Sequence, residues 1–226
     1  MCGRFTLTVD ADSIQTYFPW LEEIPPQIVP RYNIAPTQPI AAVPNDNPKA
    51  VDHFIWGLIP FWAKDPSIGS RMINARSETL AEKASFKNAY KRRRCLILAD
   101  GFYEWAKVPG QKTKQPYYIR LEDGAPFAFA GLWEEWQSPE GSQIKSATII
   151  TTDPNPLVAK VHNRMPVILH PRDYELWLSP KETPAEELQH LLTAYPAEEM
   201  VAIPVSTRVN SPGLSLIHIS EPTRPY

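Results

Sequence analysis

Two cysteines, Cys2 and Cys95, are all that this chain of 226 residues contains, too few for a disulfide framework or a cysteine-rich zinc site. Reduced thiols in a cytosolic protein are the simplest expectation. Glycine is scarce too: 9 glycines stand against 25 prolines, a balance that favours short strands and irregular connections over long helices. No glycine-rich phosphate loop, internal repeat or metal motif at a recognised spacing occurs, so neither a metal nor another cofactor is expected. No apolar stretch approaches the roughly 20 residues of a membrane span, and no basic segment followed by an apolar run opens the chain. A soluble intracellular protein with no membrane partner is therefore expected. Lys and Arg total 23 against 25 Asp and Glu, a formal charge of -2. Bulk charge carries no nucleic-acid signature, so any anion-binding surface must be local.

What is present describes a folded protein. The chain is 43% hydrophobic and 21% charged, which excludes disorder, and its length suits one domain with a substantial core. A loop-rich mixed fold is expected.

The first residues, Met1-Cys2-Gly3-Arg4-Phe5, carry the most chemistry. Removal of Met1 leaves Cys2 with a free α-amine and a thiol on adjacent carbons. Their reference pKa values, about 7.7 to 8.0 and about 8.5, put a useful fraction of each in its reactive form near neutrality. Such an amine condenses with an aldehyde to an imine, and the thiol then closes a five-membered thiazolidine. Phe5 and Leu7 alternate with polar neighbours as in a half-buried strand, which would hold this terminus in place.

Further along, Asp10 or Asp12 suits the cap of a short helix bearing Ile14, Tyr17 and Phe18 on one face. Arg31 to Gln38 reads as extended and leads into an apolar run at Ile40 to Val43. Phe54 to Pro60 reads as a strand stopped by proline. The loop from Phe61 to Ser70 has Trp62 at its head, either a stacking platform or a packed anchor. Asn74 and Arg76, two apart in an extended segment, share a face, and an amide beside a guanidinium suits an anionic or oxygen-rich ligand. Ser77 or Thr79 would cap a following helix. The basic run Lys91 to Arg94 is either a solvated helix end or a phosphate contact. Cys95 to Leu98, the pair Asp100-Gly101 and the segment to Trp105 describe a hairpin or bulged strand, with Cys95 in the core. Glu104 there is either solvent-facing or a carboxyl in an apolar setting with a raised pKa. Strands are expected at Tyr117 to Leu121, Pro126 to Trp133, Ser146 to Thr152 and Met200 to Val205, and short helices from Pro171 and Thr183. His162 precedes Arg164 and Pro166 at the entrance of an apolar strand, where functional residues are favoured.

With these segments assembled, the chain resembles the SRAP family, the SOS-response-associated peptidases or abasic-site processing proteins. The segments that carry the resemblance are Met1 to Phe5, Arg31 to Thr37, Trp56 to Pro60 with Trp62, Ile73 to Arg76 with Glu78-Thr79, Ala99 to Trp105, and His162 to Pro166, in the family's order from residue 1 to about 212. The resemblance implies an α+β fold: a single mixed domain, mainly an antiparallel curved, barrel-like sheet with flanking short helices. It implies a covalent crosslink between Cys2 and an abasic site in single-stranded DNA, by a monomer in the cytoplasm that joins the nucleoid during DNA damage, with autoproteolytic and lyase-like activities beside it. Cys2 would be the nucleophile, Asn74 would orient the cysteine and the sugar oxygen, Glu104 would assist ring opening, and His162 would move protons. Arg4, Arg76 and Arg164 would hold phosphates, and Pro36 and Trp62 would wedge between bases. Gly213 to Tyr226 has no counterpart in the family and reads as a frameshifted or adapter-derived tail after a domain of residues 1–212. Two other readings stay open: a cysteine-dependent peptidase with Cys2 as nucleophile and His162 as base, and a non-catalytic single-strand binding module.

Overall fold

The protein is described by a computed structural model covering residues 2–110 and 112–213. It is an α+β domain built on two sheets. The first has five strands, all paired antiparallel: β1 (Phe5–Leu7), β2 (Arg31–Ile34), β7 (Gly101–Ala106), β8 (Gln115–Leu121) and β13 (Met200–Pro204), in the order β13-β8-β7-β1-β2. The second has eight strands. Within it β3 (Pro39–Pro44), β4 (Asp52–Trp56), β10 (Gln143–Thr152), β9 (Phe127–Gln137) and β6 (Arg94–Ala99) pair in a ring that closes on itself. Only the β4–β10 contact of that ring is parallel. Ring closure removes the exposed edges an open sheet would carry. Three short strands, β5 (Asn74–Arg76), β11 (Met165–Pro166) and β12 (Ile168–Leu169), add to β10 and β9. Four short α-helices flank the sheets, α1 (Ala11–Tyr17), α2 (Lys87–Arg92), α3 (Tyr174–Trp177) and α4 (Ala185–Leu188).

Barrel strands read as unbroken apolar runs because both faces are covered. β6 is buried at every position and β9 at its first eight. The two sheets meet at Phe5, whose ring stands edge-on to Trp56 at 5.1 Å and to Phe129 at 5.8 Å. Accordingly, the alternation expected of β1 is absent. Phe5, Thr6 and Leu7 are all buried, because one face lies on the barrel and the other faces its own sheet's network, where the Thr6 hydroxyl meets Asp100 and Tyr118. No helix among the described residues is long and apolar enough to cross a membrane.

Other expectations need correcting. β6 and β7 do not form a hairpin: β6 belongs to the barrel and β7 to the five-stranded sheet, and the chain crosses between them at Asp100. The Asp100 carboxylate accepts from the hydroxyls of Thr6 and Thr8 and the Thr8 backbone N–H. Gly101 is required at the crossing because a Cβ there would lie 2.3 Å from the Tyr118 ring. The strand read from Phe54 to Pro60 ends at Trp56, since Gly57 takes φ 129°, a value open chiefly to glycine. Ser77 to Thr79 form only a 3-10 turn, and the helix waits until Lys87. Arg94 leaves the basic run entirely: it is fully buried and donates to the carbonyls of Trp177, Tyr90, Lys91, Ser179 and Lys181 and to the Thr183 hydroxyl. It cannot also hold a phosphate. The tail from residue 214 onward lies outside the described residues.

One backbone feature sits beside a predicted site residue. Thr37, next to Pro36, holds φ 69°, an outlier for a β-branched residue. Its N–H donates to the Trp56 carbonyl at 2.9 Å, and Arg31 ties the same turn through the Gln38 side chain at 2.5 Å. Asparagine tolerates this conformation, so Thr37→Asn is expected to raise the unfolding free energy by about 1 kcal/mol in a denaturant titration.

Candidate active site

The first described residues, Cys2 to Phe5, are held between the two sheets. β1 pairs with β7 through Phe5 opposite Phe102 and Thr6 opposite Gly101, and the Tyr103 N–H donates to the Arg4 carbonyl at 2.9 Å. One residue further along β7 stands Glu104; one residue back from Gly3 stands Cys2. Asn74 arrives from the other sheet on β5, which runs parallel to β10 with Asn74 opposite Ile149. The indole N–H of Trp56 also fastens the Ile73 carbonyl at 2.9 Å. From there the Asn74 amide donates to the Cys2 carbonyl at 2.8 Å. Its Oδ1 is buried and accepts no hydrogen bond among the described residues, an acceptor left for a donor beyond them.

Cys2 has no exposed surface. Burial, with the Glu104 carboxyl nearby as a second cause, pushes its thiol well above the usual thiol range. The partly ionised thiol expected from the sequence is thus corrected: in the chain that still carries Met1 the group is a neutral S–H, placed 3.7 Å from the Arg4 carbonyl.

Glu104, 2% exposed, is the apolar-setting carboxyl rather than the solvent-facing one. Burial raises it to about 7. His162 Nε2 lies 3.9 Å from Glu104 Oε2, and burial lowers the imidazole below its ordinary value. Both shifts favour neutral forms, so we read the pair as a neutral acid facing a neutral base and not as an ion pair. The Arg164 N–H donates to His162 Nδ1 at 3.1 Å. The Arg164 carbonyl lies 3.3 Å from the same nitrogen, so either neutral tautomer has a backbone partner there. Cys2, Asn74, Glu104 and His162 therefore come from four separate segments to one place.

The arginines divide. Arg76 is exposed at the end of β5. Arg164 is committed: its two Nη atoms donate to Glu78, Asp153 and the Thr151 carbonyl, while its Nε is buried without a partner among the described residues. Arg4 donates to Asn33 Oδ1 at 2.9 Å and to the carbonyls of Val209 and Asn210 at 2.7 and 3.3 Å. Pro36 is half-buried in the strained turn, and Trp62 lies 48% exposed on its loop.

Sequence reasoning passed over Asn33, Asp100 and Glu78 as functional supports. Asn33 reads from the sequence as an ordinary loop residue, yet it is 2% exposed and joins Arg4 to the carbonyls of Val209 and Ser211. Nothing in local periodicity signals a bond across 176 positions. Asn33→Ala would leave buried groups unpaired, with an expected loss of about 2 kcal/mol measured by chemical denaturation.

The family model described as SOS response associated peptidase (SRAP) matches residues 1–212. Abasic site processing protein YoqW of Bacillus subtilis is 48% identical over 214 residues, covering 94% of this chain and 95% of that protein. Abasic site processing protein YoaM of the same organism is 47% identical over 219 residues, covering 94% of each. A crystal structure of a protein from Bacteroides thetaiotaomicron superposes with a TM-score of 0.88 at 26% identity, covering 99% of this chain and all of that one. On the family match and these identities, the chain belongs to the SRAP family.

Proposed function

We propose that this protein processes abasic sites by crosslinking to them in single-stranded DNA through Cys2, once Met1 has been removed. The observation that carries the reading is the gathering of the buried Cys2 and Glu104 with His162 and Asn74, Glu104 Oε2 lying 3.9 Å from His162 Nε2 and the Asn74 amide on the Cys2 carbonyl. Two relatives named as abasic site processing proteins support it.

An abasic sugar rests largely as a closed hemiacetal and shows an aldehyde only when its ring opens. Protonated Glu104 delivers a proton to the ring oxygen while the C1′ hydroxyl loses one, and the aldehyde forms. The Cys2 amine adds to C1′, and the carbinolamine loses water with His162 and Glu104 exchanging the protons. The thiol then adds to the imine carbon, its proton passes to nitrogen, and a thiazolidine results with one water lost overall. A neutral, buried thiol fits this order, because the amine attacks first and the thiol follows within the same residue. Asn74 holds the Cys2 carbonyl and offers Oδ1 to the sugar hydroxyl.

Arg76 holds phosphate directly. Arg4 uses the N–H groups left after its bonds to Asn33 and the carbonyls, and Arg164 does so by exchanging Glu78 or Asp153 for the strand. Pro36 and Trp62 wedge against bases, a contact that tolerates any sequence. The working unit is a monomer of residues 1–212, with the tail beyond it non-native. Peptide cleavage, in this reading, is confined to the Met1–Cys2 bond. Lyase-like cleavage from the imine is a side path.

The test is a denaturing gel of protein mixed with single strands that carry or lack an abasic site. A heat-stable shifted band with the abasic strand alone is expected. Its absence, with the N-terminal mass showing Met1 removed, overturns the reading.

A further inference from the structure

The basic run left over from the sequence has a place in the fold outside the reaction centre. Lys87 and Lys91 lie one turn apart on α2, and Lys83 stands four residues before the helix begins. Lys83 is tied to the start of α2 by its carbonyl, which accepts from the Lys87 N–H at 2.9 Å. All three are exposed, and no ion pair is formed by any of them among the described residues. Beside them a groove of about 270 Å³ is lined by Phe61, Asn88, Lys91, Arg92, Arg93 and Glu182. The carboxylates present are spoken for: Glu182 pairs with Arg92 at 2.9 Å and buried Glu134 with Arg93 at 2.7 Å. Phe61 forms one wall and is 51% exposed, although it is a large apolar ring in a chain whose other phenylalanines named above are buried.

This groove is tied to the reaction centre along one strand. Arg93 holds Glu134, which lies opposite Ser146 of β10, and the Ser146 hydroxyl accepts from the Ile59 N–H at 2.8 Å at the root of the Phe61 loop. Thr151 on the same strand lies opposite Arg76 and bonds Arg164. Five residues separate Ser146 from Thr151, about 17 Å at ~3.4 Å per residue. Trp62, next to Phe61, stands between the two places in sequence.

We propose that the groove between α2 and the Phe61 loop is a second nucleic-acid contact, in which Lys83, Lys87 and Lys91 take backbone phosphates and Phe61 stacks a base of the strand beyond the abasic nucleotide. It rests on the reading above in taking nucleic acid as the partner. The chemistry supports it: neighbouring lysines without counterions suit a polyanion, and an exposed ring suits a base face. An overall charge of -2 makes such a local excess informative. The contact adds affinity for long strands and leaves the reaction centre unchanged.

The experiment compares undamaged single strands of about 5 and about 16 nucleotides, lengths that span a short and an extended site. Fluorescence anisotropy is read across a salt series for wild type, for Lys83→Gln/Lys87→Gln/Lys91→Gln with Phe61→Ala, and for Lys49→Gln/Arg172→Gln, which lie on a separate groove. The patch variant is expected to bind the long strand about tenfold more weakly, with a log-log salt slope smaller by about 2, while short-strand binding stays within twofold. Crosslinking of a short abasic strand should match wild type. Equal long-strand affinity and slope in wild type and patch variant, or an equal loss in the control variant, overturns the proposal. Failure of the crosslinking reading appears separately, as wild type giving no adduct while the anisotropy comparison remains readable.

Discussion

Cys2→Ala protein is expected to give no heat-stable adduct with an abasic strand, a complete loss on the denaturing gel. The substitution keeps the α-amine exposed by Met1 removal and deletes only the sulfur, so imine formation survives and ring closure does not. An imine hydrolyses during denaturation, whereas a thiazolidine has no C=N bond to hydrolyse directly. Borohydride added before denaturation should therefore restore a band for Cys2→Ala by reducing the imine to a secondary amine. Native-gel affinity for intact strands should stay near wild type, because no phosphate contact is touched. Cys2 is fully buried, so the sulfur also fills core volume; losing it leaves a small cavity, with an expected stability cost of about 1 kcal/mol. A wild-type level of adduct in Cys2→Ala without reduction would show that the sulfur takes no part. Protein retaining Met1 should fail in both assays, since the Cys2 nitrogen is then a peptide amide.

Glu104→Gln should slow crosslinking by about 100-fold, at the lower end of what a positioned proton donor contributes, and leave binding to intact strands within twofold. The wild-type rate should fall as pH rises through about 7, where Glu104 loses its proton; the variant should lack that limb. Stability offers a second readout with its own sign. Below about pH 4.5 the carboxyl is protonated in both folded and unfolded chains and contributes nothing. Between about 4.5 and 7 the unfolded chain ionises while the folded one does not, so the native state loses stability as pH rises, and above about 7 the loss is constant. Glu104→Gln removes this penalty. Its stability relative to wild type should grow by about 1 to 3 kcal/mol from pH 4 to pH 8, followed by urea denaturation. Equal loss of crosslinking and of intact-strand binding would make the residue structural.

Local chemistry was legible where a segment carries its own signal. The Asp10 cap of α1 is present, its carboxylate accepting from the Ser13 N–H at 2.9 Å. The strands around Tyr117 to Leu121, Phe127 to Trp133, Ser146 to Thr152 and Met200 to Pro204 fall where apolar runs and turn pairs put them. Asp100-Gly101 illustrates the limit. A turn pair between two apolar segments reads as a hairpin from spacing alone, but the choice of sheet for each strand depends on partners tens of residues away. Arg94 shows the same limit for charge, because a fourth cation in a run looks like its neighbours until the carbonyls that surround it are known.

The amino-acid sequence by itself determined the candidate groups: an amine and thiol on Cys2 once Met1 is gone, a carboxyl at Glu104, an imidazole at His162 and an amide at Asn74. Those follow from covalent structure and from motif order along the chain. Tertiary structure alone decided their ionisation and availability. Burial between the two sheets keeps the thiol neutral and lifts Glu104 to about 7, because desolvation disfavours charge wherever the fold excludes water. It also decided that Arg4 and Arg164 are tied to the fold while Arg76 is exposed. Hydrogen bonds across the chain set these differences, and no pattern of neighbouring residues encodes them.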